Sequence, residues 1–63
     1  MAAFATFAAA ETRAKAKVAD GTWINAHAAR QVDGTLCVRV QRKMSPTAVD
    51  AGAWVEITDD ATD

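Results

Sequence analysis

The side-chain pattern changes period at Trp23, and no other feature of the sequence constrains the fold as much. From there Ile24, Ala26 and Ala28 alternate with Trp23, Asn25, His27 and Ala29. After Asp33-Gly34 a second run sets Leu36, Val38 and Val40 against Cys37, Arg39 and Gln41. Two alternating runs around Asp-Gly read as a β-hairpin, because successive strand side chains point to opposite faces and glycine enters the left-handed region without a Cβ clash. A two-residue turn would set Gln31, Ala29 and His27 opposite Leu36, Val38 and Val40 and waste the apolar face. A three-residue loop, Val32-Asp33-Gly34 with Gly34 left-handed, pairs Ala28 with Val38 and Ala26 with Val40, and this register is expected.

The flanking segments complete the architecture. Residues 2–19 are Ala-rich with Glu, Arg and Lys, and Gly21 follows where a left-handed cap belongs, so the segment is predicted to be a helix. At about 100° per residue, Ala3, Phe4, Phe7, Ala10, Ala14 and Val18 share one stripe, with Glu11 and Lys15 as an i,i+4 pair at its edge. Ser45-Pro46 reads as an N-cap with proline at the first helical position, opening a short helical turn over Pro46 to Ala51 that Gly52 closes. Ala53 to Thr58 reads as a last strand with Val55 and Ile57 on one face and Trp54, Glu56 and Thr58 on the other. The expected fold is α+β: an N-terminal helix packed on a three-stranded antiparallel sheet, with the order α-β-β-short helical turn-β. Residues 1–58 form one small domain and residues 59–63 an acidic C-terminal tail.

At 63 residues with sixteen alanines, the core is thin, and association with another chain is expected to supplement it. A single cysteine, Cys37, excludes a disulfide scaffold, and one Cys with one His cannot complete a structural zinc site. The apolar stretch Ala2 to Ala10 is too short to span a bilayer and lacks a basic leader, so a mature, non-membrane protein of the cytoplasm or of a virion is expected. The chain contains no P-loop, no GxGxxG, no HExxH and no GxSxG. An enzyme is not expected, and no cofactor or metal is implied.

If a helix covers Ile24, Ala26, Ala28, Leu36, Val38 and Val40, the other face of the sheet carries Trp23, His27, Cys37, Arg39 and Lys43, and Trp54 joins them from the last strand. Trp beside Arg is the composition of protein interface hot spots. Rings beside cations could instead stack bases and bind phosphates, making a small nucleic-acid-binding accessory protein the alternative. His27 and Cys37 lie diagonally on that face, where a thiolate–imidazole pair is conceivable, but the ordinary reading of a lone strand cysteine is a small apolar filler. Asp59-Asp60-Ala61-Thr62-Asp63 has the spacing of a magnesium-holding aspartate motif, and its ordinary reading is an acidic tail.

Charge is divided along the chain. Residues 1–43 hold all seven Lys and Arg against three acids, while residues 44–63 hold five acids and no base. The tail is therefore expected to dock on basic surface, Arg13, Lys15 and Lys17 or Arg39, Arg42 and Lys43, most naturally on an adjacent chain. The function expected is a non-enzymatic structural or decorating subunit of a larger assembly or homo-oligomer, a phage particle being one example, with an inhibitor of a host enzyme as a further alternative. Its expected partner-binding residues are Trp23, His27, Arg39, Lys43, Trp54, Asp59, Asp60 and Asp63.

Overall fold

The computed structural model of the chain describes residues 2–45, 47 and 51–63. Among the described residues one helix, α1 (Phe7–Ala19), precedes three strands, β1 (Asn25–Arg30), β2 (Leu36–Gln41) and β3 (Val55–Ile57), in an antiparallel sheet of order β1-β2-β3.

The helix begins later than alanine content suggests. Thr6 is extended, and its Oγ1 accepts a hydrogen bond from the Ala9 N–H at 3.1 Å, satisfying one of the free amides of the first turn. The residues before it are not helical: Ala3 forms an antiparallel bridge with Asp59, and Phe4 is buried. At the other end the Thr22 N–H reaches the Lys17 carbonyl at 3.0 Å and the Gly21 N–H the Val18 carbonyl at 3.2 Å, a Schellman pair that needs Gly21 at its observed φ of 85°.

The hairpin has the expected register, with Ala26 opposite Val40 and Ala28 opposite Val38. Gly34 sits at φ 89°, and its N–H donates to the Gln31 carbonyl at 2.9 Å. The Asp33 carboxylate accepts from the Thr35 N–H at 2.9 Å, a contact that holds its pKa below the usual carboxylate range. β3 lies beside β2 with Val38 opposite Ile57 and Val40 opposite Val55. It is shorter than the Ala53–Thr58 span expected. Residues 46 and 48–50 of the expected helical turn lie outside the described residues, and Ala51 is already in an antiparallel bridge with Lys43.

The core joins Phe4, Ala10, Ala14, Trp23, Val38, Val40 and Ile57, with Ala26, Ala28 and Leu36 packed against it. Ala10 and Ala14 are the buried residues of α1, and their small side chains let the helix approach β1 and β2 closely. Phe7 and Val18, from the same predicted stripe, stay at the rim and are exposed. Among the described residues α1 does not reach β3. Phe4 joins Ile57 in the core there, and Val55 is left 43% exposed.

Candidate functional site

The outer face of the sheet, away from α1, is set by the register. His27 of β1, Arg39 of β2 and Glu56 of β3 stand in one row across the three strands. Trp54, two positions before Glu56, leans across this face so that its ring centroid lies 5.1 Å from that of His27, with the planes tilted by 57°. His27 is on the strand beyond β2, so the two rings meet over the central strand. Tilted aromatic pairs at this separation are favourable, and Trp54 remains 43% exposed. Beside them the Asn25 amide donates to Gln41 Oε1 at 3.0 Å, and the Gln41 amide donates to the Gly52 carbonyl at 3.0 Å. These bonds fix the strand end from which Trp54 departs. Lys43 lies just past β2 and is exposed.

Cys37 belongs to the same face but is fully buried. Its thiol donates to Glu56 Oε2 at 3.6 Å, and its pKa is raised, first by burial and then by the Glu56 carboxylate. The polar neighbour of the thiol is therefore Glu56, which sequence inspection missed because it follows only from the β2–β3 register. A thiol held protonated is a poor nucleophile, in keeping with the filler reading.

Trp23 is not on this face, contrary to the expectation from alternation. Its backbone belongs to the helix cap, with its N–H directed to the Lys17 carbonyl at 3.3 Å, and its side chain is 1% exposed in the core. The alternating pattern starts after it. The indole Nε1–H donates to the main-chain oxygen of Asp63 at 2.7 Å, and the Arg13 guanidinium sits 5.8 Å from the ring centroid.

The acidic segment docks on basic surface, as charge predicted, and the surface is that of its own chain. The Asp63 carboxylate pairs with Arg13 and with Lys17, each at 2.9 Å, while Arg42 Nε donates to the Asp63 main-chain oxygen at 2.6 Å. Asp60 Oδ1 accepts from the Ala2 N–H at 2.9 Å, and the Asp60 N–H returns a bond to the Ala2 carbonyl at 2.8 Å. Asp59 accepts from the Thr62 hydroxyl and from the Thr62 and Ala61 amides, contacts that hold its pKa below the usual range. The three carboxylates thus address different partners and do not converge. Among the described residues no group of three His, Cys, Asp or Glu side chains could hold a metal ion, there is no pocket, and no helix is long and apolar enough to cross a membrane.

No protein-family model, no curated protein and no solved structure matches the chain.

Proposed function

We propose that the protein is a contact subunit that works in the cytoplasm or in a particle by pressing its outer sheet face against another protein chain. The observation that carries this reading is the Trp54–His27 ring pair, open to solvent over the central strand, with Arg39 and Glu56 in the row of His27. Trp and Arg at the centre of a patch, ringed by polar groups, are the residues that dominate binding energy at protein interfaces. A standard interface covers roughly 800 Å² per partner, about a fifth of the 4021 Å² that this chain exposes. The nucleic-acid alternative loses one of the two rings it required, because Trp23 is in the core and Trp54 alone remains for stacking.

The test is sedimentation of the native chain and of Trp54→Ser over a range of concentrations, alone and with extract of the source cells, combined with a photo-crosslinker at position 54. The native chain should sediment above its 6.7 kDa, with a defined chain crosslinked at position 54. Trp54→Ser should remain a folded monomer. A native chain that sediments at monomer mass under all conditions and yields no crosslink contradicts the reading.

A further inference from the structure

We propose that Arg13, Lys17, Trp23 and Arg42 form a cradle that recognises an aspartate within an acidic peptide segment of another protein chain, and that the protein's own Asp63 is its resident competitor. The site lies along the C-terminal half of α1, from Arg13 onward, and is separate from the outer sheet face. Its donors come from three parts of the fold: Arg13 and Lys17 from α1, Trp23 from the α1–β1 connection, and Arg42 from the residue after β2. Their backbones are therefore placed by the helix and the sheet and not by the tail.

Recognition is two-pointed. Arg13 and Lys17 hold the carboxylate of Asp63, while the Trp23 indole and Arg42 Nε hold its main-chain oxygen, and an aspartate in any peptide offers the same two acceptors. With Asp63 docked the cations are largely withdrawn from water, with side-chain exposures of 23% for Arg13 and 18% for Lys17, so the closed site calls for an anion. Arg13 Nε is buried with no acceptor, which leaves one donor for a ligand group that Asp63 does not supply. On the ligand side the Asp63 side chain is 57% exposed, and partly exposed ion pairs hold weakly, so the tail is displaceable.

The probe is the peptide acetyl-DDATD, added to the full-length chain while the Trp23 indole and Arg13 Nε proton resonances are followed. Asp63→Ala, which removes the competing side-chain carboxylate, should bind the peptide about three- to fivefold more tightly than the native chain, because a cradle closed part of the time by its own tail shows a correspondingly reduced affinity. Adding Arg13→Gln to that variant should abolish binding. Equal affinity of the native chain and Asp63→Ala, or retention of binding in the double variant, would overturn the proposal. If Asp63→Ala unfolds, the peptide should restore the near-ultraviolet signal of Trp23, and failure to do so overturns it equally. A one-to-one complex between Asp63→Ala and an Arg13→Gln chain with intact tail assigns the segment to a second copy. Peptide binding without that complex assigns it to a different protein.

Discussion

Trp23 and Asp63, 40 positions apart, are joined by a 2.7 Å hydrogen bond from the indole N–H to a main-chain oxygen. One buried ring thus ties the last residue of the sequence to the helix cap. Trp23 is the largest fully buried side chain, so Trp23→Ala should cost about 3–5 kcal/mol and leave little folded chain. Trp23→Phe keeps most of the packing but loses the donor, and should cost about 1–2 kcal/mol in urea unfolding. Asp63→Asn removes only partly exposed ion pairs, so its cost should stay below about 1 kcal/mol and fade at high salt.

The two left-handed glycines give a cleaner test of backbone energetics. An added Cβ at Gly21 or at Gly34 meets nothing within 4 Å, so an alanine there suffers from its positive φ alone. Gly21→Ala and Gly34→Ala should each destabilise by about 1–2 kcal/mol. The double variant should show the sum, because the cap and the hairpin tip share no partner. Thr6→Ala, which removes the helix N-cap, should cost about 1 kcal/mol by the same measurement.

The hairpin was legible in the sequence because its determinants are local: a period of two on either side of Asp33-Gly34 fixes both register and loop length. Gly21 was legible for the same reason. The start of α1 was not, since alanine propensity carries no information about Phe4 joining the buried core or about Ala2 bonding to Asp60, 58 positions away. Strand alternation does not extend to Trp23, because β1 begins two residues later and the helix cap dictates the geometry of the connection. Of the candidate site, His27, Arg39 and Trp54 came from strand parity, whereas the partners of Asp59, Asp60 and Asp63 required the tertiary fold.

Asp59 predicts a pH response in the C-terminal segment. The Thr62 hydroxyl is the first cause of its lowered pKa, followed by the Thr62 and Ala61 amides. A carboxyl whose folded pKa is depressed contributes stability above its ordinary value of about 3.9 and loses it as pH falls through the lower folded value. The Ala61 and Thr62 amide resonances should therefore titrate with a midpoint below that of a free aspartate. Thr62→Val should move the midpoint upward, and an unchanged midpoint would remove the hydroxyl from the account.

Cys37 should resist alkylation in the folded chain. Burial and the neighbouring Glu56 carboxylate both keep its thiol protonated, so iodoacetamide should modify it at the rate of global opening, with a sharp increase on adding urea. Fast labelling of the native chain at neutral pH would contradict the burial.

The two tryptophans divide the labour in the proposed function: Trp23 closes the core, and Trp54 is the residue proposed to meet a partner chain. Hydrogen exchange of the two indole N–H protons, followed by NMR in the dilute chain and in its assembled state, tests it most directly. Trp23 should exchange slowly in both states, and Trp54 should exchange fast in the dilute chain and become protected and shifted on assembly. A Trp54 indole that exchanges equally fast in both states, or a Trp23 indole unprotected in the dilute chain, would contradict the account.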